Sequence, residues 1–305
     1  MAKYEVVIVG GGPAGFTAGL YASRVGLKSL LVERGMFGGQ MVNAALVENY
    51  PGFPEGITGI ELGSLMHQQA IKYGLEVVTA EVTGITPGQP YGVSTTEGSF
   101  EAVSIIIAAG SEYRKLGAIG EERLSGHGVS YCATCDGFLF RGREVAVVGG
   151  GDTAITDALE LSQHARKVYV IHRRNQLRAG QVLQQQAFAQ PKLEFIWSTV
   201  IEEILGEEVV KGLRLTNVKT KQHSILEVSG VFVAVGLMPN SQHFFNILEL
   251  DDAGYIVTDE TMATSVPGIF AAGDIRRNSA RQIAAAVGDG ATAAMSAFRY
   301  LQERS

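Results

Sequence analysis

The run Val6-Val-Ile-Val-Gly-Gly-Gly-Pro-Ala-Gly15 returns 139 residues later as Val145-Ala-Val-Val-Gly-Gly-Gly-Asp-Thr-Ala154, and Lys28 to Val32 lies over Lys167 to Ile171 at the same offset. Each copy reads as a short apolar strand, a glycine turn, a helix and a second strand, the opening of a βαβ unit. A chain that makes this unit twice is held to an α/β fold with parallel sheets. The glycines have the same physical reason in both copies. Gly10 and Gly149 make the tight turn, Gly12 and Gly151 let the backbone touch a pyrophosphate, and Gly15 or Ala154 permits close helix packing. The first helical turns, Pro13-Ala14 in one copy and Asp152-Thr153 in the other, then point their N-termini at the phosphates.

The ends of the second strands separate the two ligands. In the first copy the strand ends at Glu33, where a carboxylate can accept both hydrogen bonds of a ribose diol, which suits FAD or NAD. In the second copy the aligned residue is His172, followed by Arg173, Arg174 and, a turn later, Arg178. An acid there would repel a 2′-phosphate and guanidiniums bind it, so the second site reads as built for NADPH. The alternative reading of that run is a solvated basic surface.

Only two of the 305 residues are cysteines, Cys132 and Cys135. A disulfide framework would need more of them, and a zinc site would need four ligands, whereas the six histidines are scattered. A redox dithiol remains, and no metal is expected. With 25 Lys and Arg against 31 Asp and Glu, no overall basic field exists to hold a phosphate backbone, so nucleic acid is not an expected partner. No apolar run approaches the length of a membrane span or a signal segment, and the expectation is a soluble cytoplasmic protein of about two domains. Further strand-and-glycine signals end at Gly110, Gly236 and Gly273-Asp274, and the Ala-rich stretch from Gln282 to Gln302 reads as a helix packed on the first domain.

These residues carry a family resemblance. Gly10 to Gly15, Gly38-Gly-Gln40, Glu48-Asn-Tyr-Pro-Gly52, Cys132-Ala-Thr-Cys-Asp136, Gly149 to Ala154, His172-Arg-Arg174, Gly273-Asp274 and Arg281-Gln282 stand in order along essentially the whole chain. Together they resemble the low-molecular-weight thioredoxin reductases. Ala109 stands where that family commonly has threonine, and Tyr50 where tryptophan is frequent.

The resemblance implies two Rossmann-like domains, doubly wound and three-layered, the second inserted in the first. Residues 1–113 and 241–305 would bind FAD, and 114–240 would bind NADPH and carry the dithiol. Gly39, Gln40, Asn49, Gly110, Asp274, Arg281, Gln282 and Ile283 would join Glu33 and the first glycine turn around the flavin nucleotide. Hydride would pass from NADPH to FAD and then to the Cys132–Cys135 disulfide, with Cys135 facing the flavin and Cys132 attacking thioredoxin. Asp136 would be the acid that protonates a departing thiolate and takes the proton back; its other reading is a turn-forming Asp-Gly with Gly137. The inserted domain would rotate, with Gly110 and Gly236 near the hinges, and the protein would be a homodimer. The intact arginine site argues against a relative that draws electrons from ferredoxin or a small dithiol. The flavoprotein arm of a peroxide-reducing system would carry an extra segment ahead of Gly10, and a regulatory module with a structural disulfide is the non-enzymatic alternative.

Overall fold

The computed structural model describes residues 2–44 and 46–304. The chain divides into two compact units, one made of residues 1–112 and 238–305 and the other of 113–237.

In the first unit, β1 (Ala2–Val9), α1 (Pro13–Arg24) and β2 (Ser29–Glu33) form the first βαβ opening. They are followed by α2 (Gly59–Ile71), β3 (Glu76–Thr79), the strands β4 (Val82–Thr86), β5 (Tyr91–Thr95) and β6 (Gly98–Ile107), and the crossing strand β7 (Ser111–Tyr113). The second unit contains β8 (Val129–Ser130), α3 (Ala133–Asp136), β9 (Glu144–Val148), α4 (Asp152–His164), β10 (Lys167–His172), α5 (Gln181–Ala189) and β11 (Leu193–Trp197). It continues through β12 (Thr199–Leu205), β13 (Gly212–Asn217), β14 (His223–Leu226) and β15 (Gly230–Val233) to a second crossing strand, β16 (Leu237–Pro239). The chain then returns to the first unit for β17 (Ile269–Ala271) and α6 (Ile283–Gln302).

The first unit's sheet runs β3-β2-β1-β6-β5-β4, with β17 on the second half of β6. Its β1, β2, β3, β6 and β17 are parallel, while β4 and β5 are antiparallel. The alternation of β1 explains how it is buried on both faces. Val6 and Ile8 pack with Phe16 and Ala18 of α1 and Ala293 and Ala297 of α6, whereas Val7 and Val9 pack with Ile105, Ile107, Phe244 and Leu248. The Ala-rich C-terminal stretch is indeed the helix α6 on α1. Its small residues let the backbones close up: a Cβ on Gly290 would stand 2.2 Å from the carbonyl oxygen of Ala14.

The second unit's sheet, β11-β10-β9-β15-β8, is wholly parallel. On one face Val145 and Val147 meet Ile155 and Leu161 of α4; on the other Ala146 and Val148 meet Leu213 and Leu215 of the antiparallel β12-β13-β14 layer. Among the described residues no helix is long and apolar enough to cross a membrane.

Candidate active site: a dithiol and two glycine turns

The two copies of the repeat fold alike down to single hydrogen bonds. Gly10 N–H donates to Val32 O (2.8 Å) and Gly149 N–H to the aligned Ile171 O (3.1 Å). A Cβ on Gly10 would sit 2.4 Å from Ala108 O, and one on Gly149 2.4 Å from Ala234 O. Both turns have positive φ at this first glycine, so glycine is required twice over, by conformation and by the strand beside it. At both helix starts, Gly12 before α1 and Gly151 before α4, no side chain caps the free N–H groups. Uncapped N-termini of this kind are suited to an anion.

Around the first turn, Gly38 N–H donates to Gly11 O (2.8 Å), and Gly39 lies across from Gly12 with no side chain between them, a Cβ on Gly12 finding only the Gly39 Cα at 3.9 Å. This is a bare backbone cradle of the sort a pyrophosphate needs. The Glu33 carboxylate accepts from Gly11 N–H (2.5 Å) and Gly35 N–H (2.7 Å), which fixes it and leaves lone pairs for a diol. Gly273 approaches Ala14, and the Asn49 amide donates to the Gln282 side-chain oxygen at 3.1 Å. Ile283 opens α6 against Met41, Val47 and Ile57. Asp274 accepts from Ser279 Oγ (3.0 Å), and burial pushes its pKa up while that hydrogen bond opposes the shift. The Gln40 side-chain oxygen is engaged by Asn43 (3.3 Å), and Gly110 stands in open space. Arg281 N–H donates to the same Ser279 Oγ at 3.2 Å and its charge acts on Asp274, while its guanidinium lies 5.5 Å from the Tyr255 ring centre.

In the second unit, the segment after β10 folds back onto the glycine turn: Arg178 N–H and Ala179 N–H donate to Gly150 O at 2.6 and 3.2 Å, and Gly180 N–H donates to Asp152 Oδ1 at 2.8 Å. Arg173, Arg174 and Arg178 are thereby held near the start of α4, with Thr153 exposed there and Ala154 buried. All three guanidiniums are exposed. His172 is not: it is only 5% exposed, its Nε2 has no partner among the described residues, and its ring lies so close to Gly150 that a Cβ there would meet the ring at 2.4 Å. Burial first, then the charges of Arg178 and Arg174, push its pKa down, favouring the neutral ring.

Cys132 and Cys135 are joined in a disulfide with Cα atoms 5.3 Å apart. Cys132 is the N-cap of α3, its Sγ accepting from Cys135 N–H at 3.1 Å. Both cysteines are half-buried. Asp136 ends this helix in αR backbone and Gly137 continues it with φ −59°, so the pair makes no glycine-dependent turn. Gly137 is small because of packing, since a Cβ would lie 3.0 Å from Leu161. Burial raises the Asp136 pKa, and a hydrogen bond from Ser130 Oγ, 2.6 Å from Oδ2, works against it. The helix α4 underlies the dithiol loop, Thr134 donating to Glu160 at 3.0 Å.

Four groups escaped the sequence reading. Gly11 and Gly150 back onto Glu33 and His172 respectively. Asp289 is buried in α6 and clamps the Gly273 turn, accepting from Gly273 N–H (3.0 Å) and from Arg276 Nε (2.5 Å) and Nη2 (2.9 Å). Glu121, buried, accepts from Tyr131 OH (2.9 Å) and from the backbone of Leu116 and Gly117, anchoring the residue before Cys132. Ser130 is the fourth. An acid among alanines in α6 was the one available signal.

A half-buried dithiol beside a carboxyl, in a chain with two anion-ready glycine turns, defines a nucleotide-dependent disulfide oxidoreductase. The chain belongs to the pyridine nucleotide-disulphide oxidoreductase family, whose model matches residues 4–290. Its relatives in that family include thioredoxin reductases. It is 50% identical to thioredoxin reductase of Listeria monocytogenes, over 98% of this chain and 94% of the relative, and 45% identical to that of Bacillus subtilis, over 98% and 95%. The crystal structure of thioredoxin reductase from Streptococcus pyogenes matches with a TM-score of 0.96 at 45% identity, covering 99% of each chain.

Proposed function

We propose that this chain reduces the disulfide of thioredoxin or a thioredoxin-like protein at the expense of NADPH, through FAD and the Cys132–Cys135 pair. The observation that carries the reading is the disulfide itself, set at a helix N-terminus and followed directly by a half-buried carboxyl. The first unit is assigned to FAD: the α1 N-terminus and the Gly12–Gly39 cradle take the pyrophosphate, Glu33 the ribose and Asp274 the far side. The second is assigned to NADPH, with the α4 N-terminus on the pyrophosphate and Arg173, Arg174 and Arg178 on the 2′-phosphate. Buried His172 serves by packing on Gly150 rather than by presenting a charge. We further propose a cytoplasmic homodimer, the cytoplasm being where a dithiol of this kind cycles instead of staying oxidised.

When bound, the two cofactors supply the electron pair that opens the Cys132–Cys135 disulfide. The α3 N-terminus stabilises thiolate character at Cys132. The Cys132 thiolate attacks one sulfur of the substrate disulfide, forming a mixed disulfide and expelling the other sulfur as a thiolate. Cys135 then attacks Cys132 Sγ, restoring the internal disulfide and releasing the substrate as a dithiol. Asp136 gives a proton to a departing thiolate and recovers one from the dithiol in the next cycle. Phe138 and Leu139, exposed directly after the dithiol segment, offer an apolar surface to a protein substrate.

The test is anaerobic. NADPH is expected to bleach the flavin absorbance and oxidised thioredoxin to restore it, with thiols appearing on thioredoxin; Cys132→Ser is expected to keep the bleaching and lose the thiols. A flavin that NADPH leaves oxidised, but that ferredoxin or a small dithiol reduces, overturns the reading.

A further inference from the structure

Ser130 is the last residue of β8, paired to Phe232 of β15, and only 5% exposed. Its hydroxyl oxygen accepts from Cys132 N–H at 3.1 Å, which fixes the rotor from one side. The single hydroxyl proton then has two acceptors within reach, Asp136 Oδ2 at 2.6 Å and Cys132 O at 3.3 Å. The shorter, charge-assisted bond to the carboxylate takes it. Asp136 Oδ1 has no partner among the described residues. One carboxylate oxygen is therefore held, and the other is left to exchange a proton.

We propose that Ser130 is a positioning residue for Asp136, locking Oδ2 through a hydroxyl that is itself oriented by the Cys132 backbone, so that Oδ1 is presented to the sulfurs. Because the same hydroxyl touches the first cysteine's N–H and the acid, the acid is tied to the dithiol segment. The inference rests on Asp136 being the acid and base of the exchange proposed above. The ionisable groups on the helix packed against this segment, Asp157, Glu160 and His164 of α4, do not figure in the Asp136 shift, which is set by burial and by Ser130. The 3-10 turn from Gly137 to Phe140 carries no ionisable side chain, and Tyr131 is turned to Glu121.

Removing the hydroxyl removes the one contact that favours the charged carboxylate, so the carboxyl should hold its proton to higher pH. The experiment follows single-turnover oxidation of the NADPH-reduced holoprotein by thioredoxin disulfide from pH 5 to 9, in the parent, Ser130→Ala and Ser130→Thr. Ser130→Ala should move the acid limb of the profile up by about one pH unit, Ser130→Thr should keep it near the parent, and flavin bleaching by NADPH should be unchanged in all three. In an Asp136→Asn background, adding Ser130→Ala should cause no further shift. An unshifted limb in Ser130→Ala, or an equal shift that persists in the Asp136→Asn background, overturns the proposal. Failure of the parent protein to bleach or to reduce thioredoxin would instead overturn the functional reading on which it rests.

Discussion

The double variant Arg173→Ala/Arg174→Ala tests the nucleotide assignment with little structural side effect. Both guanidiniums are exposed just past β10, beside His172, and neither has a carboxylate partner among the described residues. Their removal should leave folding stability within about 0.5 kcal/mol, the usual range for such surface changes. A charge-assisted hydrogen bond contributes about 1.5–3 kcal/mol, and solvent exposure lowers this to about 1 kcal/mol for each arginine. Two of them give about 2 kcal/mol, or roughly 30-fold in the KM for NADPH. Arg178, held on the returning loop by its backbone bond to Gly150, remains and limits the loss. NADH lacks the phosphate, so its KM should change by less than about twofold, and the NADPH effect should shrink as salt screens the charges. Initial rates of flavin-dependent thioredoxin reduction with each nucleotide, at fixed low ionic strength, give both numbers. An equal effect on NADPH and NADH would refute the reasoning, because the arginines would then act on a part the two nucleotides share.

Two further perturbations probe the scaffold. Asp157 on α4 has its pKa pushed up to about 7 by burial and by Glu160, so between about pH 4 and pH 7 the native protein keeps a proton that the unfolded chain gives up. Its contribution to stability is then full at the acid end and lost as pH rises through 7. Asp157→Asn removes that slope, and its urea midpoint should gain on the parent by the equivalent of about 2 kcal/mol between pH 4.5 and 8, after discounting for partial exposure; a constant difference would rule the explanation out. Gly290→Ala tests the crossing of α6 with α1. Alanine favours a helix over glycine by about 1 kcal/mol, yet its Cβ would meet the Ala14 carbonyl at 2.2 Å, and backbone must move at a cost of about 3 kcal/mol or more. The protein should melt several degrees lower, whereas an unchanged or higher Tm would mean the helices can separate freely.

The repeat was readable because its determinants are local. A glycine forced into positive φ, an apolar strand before it and a second strand on schedule lie within a few tens of residues, and both βαβ openings form where the pattern put them. The glycine turns and the dithiol could be located for the same reason. What could not be read depends on atoms brought together by the sheet. Ser130 is an ordinary strand-end residue until β8 is laid beside β15 and the segment beyond it turns back to place Asp136 under its hydroxyl. Asp289 and Arg276 meet because α6 passes over the Gly273 turn. His172 stands in the sequence only as the strand end before two arginines. Its burial over Gly150 comes from the middle glycine of the turn, a position the dinucleotide pattern leaves unspecified.

That middle glycine has a consequence for how the two halves could have diverged and how they could be re-engineered. In one copy the residue ending the second strand accepts from a backbone N–H, Gly11 to Glu33; in the other it is a ring packed on the equivalent glycine, His172 on Gly150. The duplicated modules therefore differ by a matched pair of a strand end and the backbone beneath it. An exchange of Glu and His between the strand ends would strand an amide in one copy, or place a carboxylate against the glycine that the imidazole covers in the other. The strand end and the peptide beneath it are thus a two-part fitting in each copy, and a redesign of either has to recast both parts together.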